Sequence, residues 1–140
     1  MTNRTNQLFA CLISALLFFS FTTGARAALR ATGEHFSVKE YNEFHDVLHP
    51  LQHEALPNRD FKTIRARAGE LTTLGDAIVK VGTPAGVKEA TEFQNELKVF
   101  AAALAKFKTD AANANDAQLE ESYLAVHDSF EMLAGKLPRK

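Results

Sequence analysis

Residues 60–81, DFKTIRARAGELTTLGDAIVKV, carry the clearest helical pattern in the chain. Their apolar residues recur at spacings of three and four, which places them on one face of an α-helix. These residues are Phe61, Ile64, Ala68, Leu71, Leu74, Ile78 and Val81. Gly69 and Gly75 each weaken the helix by about 1 kcal/mol relative to alanine, but they also allow close packing. The pattern predicts an amphipathic helix that begins near Asp60 and ends before Gly82.

The same period occurs on both sides of this segment. A first helix is predicted from about Ser37 to Leu56, where Ser37 and Glu40 form a capping-box pattern. A third is predicted after Thr83 and Pro84, which suit an N-cap and a first helical turn. A fourth begins near Asp116, after a polar connector. The predicted core residues of the first helix are Tyr41, Phe44, Leu48, Leu51 and Ala55. Those of the third helix are Val87, Ala90, Phe93, Leu97, Phe100, Leu104 and Phe107. Those of the fourth helix are Leu119, Tyr123, Val126, Phe130, Leu133 and Leu137.

No segment alternates with the period of two that a half-buried strand requires. Four amphipathic helices of about 20 residues with short connectors indicate an all-α fold, an antiparallel up-down-up-down four-helix bundle. Arg65 and Arg67 are expected on a solvated face.

The N-terminal segment has the organisation of a secretory signal peptide. Arg4 precedes a charge-free run over residues 8–21, and Ala25-Arg26-Ala27 offers a small-x-small cleavage site. The run is shorter than the roughly 20 residues that span a bilayer. We therefore expect removal of residues 1–27, a single domain over 28–140, a periplasmic or secreted location, and no membrane insertion after cleavage.

Composition excludes several functions for the mature chain. Residues 1–27 contain two arginines and no acid, so 14 of the 16 basic residues remain against 17 acidic ones, a net charge of -3. This balance argues against a nucleic-acid partner. The one cysteine, Cys11, leaves with the signal peptide, which excludes disulfides and thiol chemistry. No catalytic motif is present, and the chain is not expected to be an enzyme.

The histidines give the strongest chemical signal. The segment 44–54, FHDVLHPLQHE, contains His45, His49 and His53 at a spacing of four residues. Side chains four residues apart lie on the same face of a helix, so each histidine is expected beside the next one. Imidazole is a ligand for copper and zinc. On a helical wheel, His45 lies about 70° from the apolar centre of the first helix, and His127 lies about 80° from that of the fourth. Both histidines are displaced from the apolar centre in the same rotational sense. We therefore expect their side chains to meet where the first and fourth helices pack against each other in antiparallel directions.

His53 and Glu131 complete the candidate ligands. An ideal helix places His53 about 150° from the apolar centre, in solvent. Pro50 cannot donate to the carbonyl of Asp46, so we expect a kink that swings His53 back toward His45. Glu131 lies one turn after His127.

The motifs also resemble a known family. Val126-His127-Asp128-Ser129-Phe130 resembles the haem-binding end of cytochrome c-prime, although Tyr123 and Val126 stand where covalent haem attachment needs cysteines. Residues 36–137 are similar to haem-free periplasmic relatives of that bundle and of soluble cytochrome b. Their first-helix motif is matched by Phe44, His45, Val47, Pro50 and His53. The resemblance implies a copper or zinc site at His45, His53 and His127. Leu48 replaces a methionine found in many relatives, which argues against copper(I).

Three functions are consistent with this pattern. The first is copper or zinc buffering, delivery or sensing through His45, His53 and His127, with His49, Glu131 or water as a fourth ligand. The second is a structural or interaction bundle without a cofactor. The third is a non-covalent haem protein with His45 and His127 as axial ligands. Bundles of this type often pair, so a homodimer is an alternative to a monomer.

Overall fold

The computed structural model describes residues 35–138, and every regular element in that range is helical. The elements are α1 (Lys39–Pro50), a π-helical turn (Leu51–Ala55, the π-turn), α2 (Phe61–Val81), α3 (Ala90–Asn113) and α4 (Asp116–Ala134). The predicted all-α class is therefore confirmed for the described range. The predicted signal peptide, residues 1–27, lies outside it. None of the described helices is both long and apolar enough to cross a membrane.

The starts of α2 and α4 agree with the sequence prediction because polar side chains cap them. The Asp60 carboxylate accepts a hydrogen bond from the Thr63 amide at 3.0 Å. Before α4, the Asn115 side chain accepts from the Gln118 amide at 3.0 Å, and the Gln118 side chain accepts from the Asn115 amide at 3.3 Å. These bonds satisfy amides that have no partner in the first turn of a helix.

The predicted cap of the first helix is wrong. α1 begins at Lys39, and the side chain of its N-cap residue, Val38, forms no capping hydrogen bond. Asn42 ties down the entering chain instead. Its side chain accepts from the Phe36 amide at 2.8 Å and donates to the carbonyls of Phe36 and Val38 at 3.0 Å.

The predicted start of the third helix is also wrong. α3 begins at Ala90, and Thr83 and Pro84 lie in a loop. The Val87 amide donates to the Pro84 carbonyl at 3.4 Å, which closes a turn. Gly86 within that turn has φ +90°, a conformation that a continuing right-handed helix excludes.

The core forms from the apolar faces that the helical period predicts. Its largest fully buried side chains include Tyr41, Phe44, Phe93, Phe100, Phe107, Tyr123 and Phe130. Val81 and Ala90 are exposed, contrary to prediction, because they stand at the last and first residues of their helices. Met132 is 57% exposed.

Specific contacts join the helices. The Tyr123 hydroxyl donates to the Leu48 carbonyl at 3.2 Å and so links α4 to α1. α2 and α3 approach closely at Gly75, where an added Cβ would lie 2.5 Å from Cδ1 of Leu104. Arg65 is not fully solvated, contrary to prediction, because its guanidinium donates to two carbonyls at the end of α3 and to the carbonyl of Ala114 just beyond it. These contacts hold the first and last helices, which carry the candidate ligands, in one packed unit.

Candidate metal centre

Three histidines form a continuous row along the end of α1 and the π-turn. The ring centroids of His45 and His49 lie 5.4 Å apart, and those of His49 and His53 lie 4.4 Å apart. His45 and His49 are half-buried, whereas His53 is exposed. We call the three residues the histidine row.

The backbone around Pro50 explains why the row stays continuous. Proline has no N–H, so the α-helical bond to Asp46 is missing, and the chain widens into the π-turn instead of breaking. The Leu56 amide donates to the Leu51 carbonyl at 2.9 Å, one residue further back than in an α-helix. His53 lies in this wider turn and faces His49.

His45 lies over the aromatic core. Its ring stacks on Phe130 of α4 at a centroid distance of 6.2 Å and meets the edge of Phe36 at 5.6 Å. Phe36, which sequence reasoning did not single out, is held in place by Asn42. One end of the histidine row is therefore fixed against the core, and the other end is accessible to solvent.

The candidate ligands on α4 are His127 and Glu131. Nδ1 of His127 lies 3.1 Å from Oδ1 of Asp128, its neighbour in sequence, and the His127 side chain is 24% exposed. Glu131 is exposed. Phe130, on the same helix, contacts the ring of His45. Within residues 35–138, no group of three or more His, Cys, Asp or Glu side chains is placed to hold a metal ion.

The ring separations within the histidine row can be compared with those of two imidazoles bound to one metal ion. A metal–nitrogen bond of 2.0–2.1 Å puts each imidazole centroid about 3.2 Å from the metal. Two rings at a right angle then have centroids about 4.5 Å apart, and two rings at a tetrahedral angle about 5.2 Å apart. The His49–His53 separation matches the first value and the His45–His49 separation is near the second.

Haem does not fit between the first and last helices. Phe130 fills that space, with its ring centroid 4.8 Å from that of Phe44, 5.8 Å from that of Tyr41 and 6.4 Å from that of Phe100. These side chains are fully buried. A macrocycle with ligands on α1 and α4 would have to displace them.

A cleft of about 390 Å³ lies elsewhere, at the start of α2. It is lined by Arg59, Asp60, Phe61, Lys62, Arg65 and Asp116. Both of its arginines have partners: Arg65 pairs with Asp116 at 3.0 Å, and the Arg59 guanidinium lies 5.2 Å from the centroid of the Phe61 ring. These contacts stabilise the ends of the helices.

Comparison of the chain with protein-family models, with curated proteins and with solved structures gives no match. The relation to cytochrome c-prime thus stays a hypothesis based on the short motifs around His45 and His127.

Proposed function

We propose that this protein is an exported four-helix protein that binds copper or zinc through histidines of its first helix, and that it acts as a binding protein rather than an enzyme. The observation that carries the proposal is the 4.4 Å separation of the His49 and His53 rings. Export is supported by the charge-free run over residues 8–21 and the small-x-small site that follows it. Buffering, delivery and sensing of the metal are the functions that such a site serves.

His49 and His53 are the proposed primary ligands. Both rings are accessible from solvent, so an ion reaches them without opening the core. Chelation by two side chains on one helix also needs little reorganisation, since the rings are already near the separation that a right-angled copper(II) pair requires. His45 is the adjacent alternative ligand, at tetrahedral separation from His49.

The set His45, His53 and His127, with Glu131 as a further ligand, is the competing arrangement. It has one supporting observation, the carboxylate of Asp128 beside His127, because metal-bound imidazoles commonly use their second nitrogen to bond a carboxylate. In this arrangement the side chains of α1 and α4 rearrange when the metal binds.

In the proposed architecture the four helices run up-down-up-down. Two end-to-end contacts support this direction. Arg65, near the start of α2, bonds carbonyls at the end of α3, and Lys136, just beyond α4, pairs with Glu92 near the start of α3 at 2.8 Å. The pairing of Tyr41 with Phe130 and of Leu48 with Tyr123 supports opposite directions for α1 and α4.

Calorimetric titration of the untagged protein with copper(II) and with zinc tests this function. We expect saturable binding with a dissociation constant of about 1 μM or tighter. His49→Ala and His53→Ala should each weaken it by about tenfold or more, because loss of a direct ligand costs at least as much as loss of an outer partner. His35→Ala is the matched control, since His35 is an exposed histidine outside the row.

The variants also separate the two ligand sets. Under the proposal, His127→Ala leaves the affinity unchanged, whereas under the competing arrangement it removes binding and His49→Ala has little effect. Circular dichroism of each variant is the check that its fold is retained. Wild-type protein that binds neither metal would refute the function itself.

A further inference from the structure

We propose that the metal ion is shared between two copies of this chain, each of which contributes His49 and His53. This inference rests on the proposed function and extends it to the partner, which is a second copy of the same protein. Zinc and copper(II) commonly take four protein or solvent ligands, and the pair in one chain supplies two. Within residues 35–138, no third carboxylate, thiol or imidazole joins the pair in a metal-holding group.

The position of the pair suits a shared site. His53 is exposed, and the π-turn that carries it lies at the end of the first helix. If a twofold axis passes through the ion, the rings of His49 and His53 from both copies bind the same ion. Four imidazoles are then supplied by one self-complementary surface. The 4.4 Å ring separation within each copy leaves the opposite side of the ion to the second pair.

The surface around the pair makes such a dimer dependent on metal. Asp46 and Glu54, which flank the two histidines in sequence, are both exposed. Like charges that face each other across an interface oppose association, and a divalent cation between them offsets that repulsion. In the described range the exposed large apolar residues are Val81, Val99 and Met132, all on other helices. The first helix thus offers no apolar patch that would hold two copies together without metal.

Sedimentation velocity of the untagged mature chain, residues 28–140, tests the inference, with zinc chloride and copper(II) chloride as the probes. We expect a monomer after chelator treatment and a doubled mass on addition of half an equivalent of metal. Calorimetry should give one ion per two chains. His53→Ala and His49→Ala should each abolish the doubling, and His35→Ala, the matched control, should preserve it.

The outcomes distinguish the two proposals. Binding of one ion per chain without a change in mass would overturn the shared site and leave the proposed function intact. Absence of binding would overturn both. A doubled mass that persists in chelator, or in the His53→Ala variant, would show a dimer held by other contacts and would also refute the shared site. Because His53 is exposed, its loss should leave the helical circular dichroism unchanged, and this spectrum is the control for folding.

Discussion

At the scale of single residues, Arg65 shows how one long side chain connects distant parts of the chain. Its Nη1 donates to the carbonyls of Asp110 and Ala111 at 3.2 and 3.0 Å. Its Nη2 donates to the Ala114 carbonyl at 2.8 Å and pairs with Asp116 at 3.0 Å. The Asp110 carbonyl also accepts from the Ala114 amide at 2.9 Å, whereas the Ala111 carbonyl belongs to the last turn of α3, where carbonyls lack a partner within the helix. The guanidinium thus supplies a donor at the point where the helical hydrogen bonds end.

Truncation of this side chain should therefore be costly. We expect Arg65→Ala to lower the free energy of unfolding by about 1–3 kcal/mol, because several partly buried carbonyls lose a charged donor. Arg67→Ala is the matched control: Arg67 pairs with Glu70 on the surface of the same helix, and its loss should cost less than about 1 kcal/mol. Urea unfolding followed by circular dichroism measures both. Equal losses would contradict a special role for Arg65.

At the scale of secondary structure elements, close approach of α2 to α3 depends on Gly75. An added Cβ at this position would lie 2.5 and 2.7 Å from the two terminal carbons of Leu104, which is itself buried. Gly69, six residues earlier on the same helix, is exposed, and a Cβ added there would meet no side chain within 4 Å apart from those of its chain neighbours. The two glycines thus share a helix and differ in their surroundings.

Alanine substitutions at these two glycines should change the stability of the protein in opposite directions. Gly75→Ala should destabilise the protein by about 1–3 kcal/mol, because Leu104 must leave its packed position. Gly69→Ala should stabilise it by about 0.5–1 kcal/mol, since alanine has the higher helix propensity. The midpoint of urea unfolding reports both signs. Stabilisation by Gly75→Ala would show that α3 adjusts freely and that the close approach is not required.

The elements also show which features can be predicted from the sequence. Periodicity depends on short-range geometry, so it correctly placed Phe93 and Phe100 of α3 in the core. Thr83 and Pro84 suit a helix start locally, but the positive φ of Gly86 depends on how the loop packs and delays α3 to Ala90. Local rules therefore failed where the packing of the whole loop decides the backbone.

In the candidate site, too, the features set by short-range geometry could be predicted and those set by packing could not. The spacing of His45, His49 and His53 alone predicts neighbouring rings, and the structure confirms that adjacent ones are in contact. The response of the chain to Pro50 was not predictable, because a kink and a π-turn both accommodate a proline that lacks a donor. Which residue of α4 faces His45 depends on the sense in which the helices wind. The structure shows that the ring of Phe130 stacks on that of His45.

At the scale of the whole molecule, the two tyrosines indicate how well the core excludes water. Tyr41 and Tyr123, the only tyrosines in the sequence, are both fully buried. The Tyr123 hydroxyl bonds the Leu48 carbonyl, whereas the Tyr41 hydroxyl has no hydrogen-bond partner among the described residues. Burial raises the pKa of both phenols, because the phenolate loses its hydration in the apolar interior.

This burial fixes how the protein responds to alkali. The pKa of a phenol in the unfolded chain is about 10, below that of either buried tyrosine, so their stabilising contribution is fully present below that pH and is lost as the pH rises above it. The raised pKa values of Lys39, Lys106 and Lys136, which pair with carboxylates, act in the same direction. Alkaline titration should therefore unfold the protein rather than ionise the folded form.

We expect phenolate absorbance to appear in one cooperative step above a pH of about 10, coincident with the loss of helical circular dichroism. Tyr41→Phe should halve the amplitude of the absorbance and preserve its coincidence with unfolding. The phenyl ring retains the contacts with Phe36 and Phe130 and removes a hydroxyl that has no described partner. Gradual appearance of phenolate while the helical signal persists would contradict the prediction, because it would mean that water reaches these hydroxyls in the folded molecule.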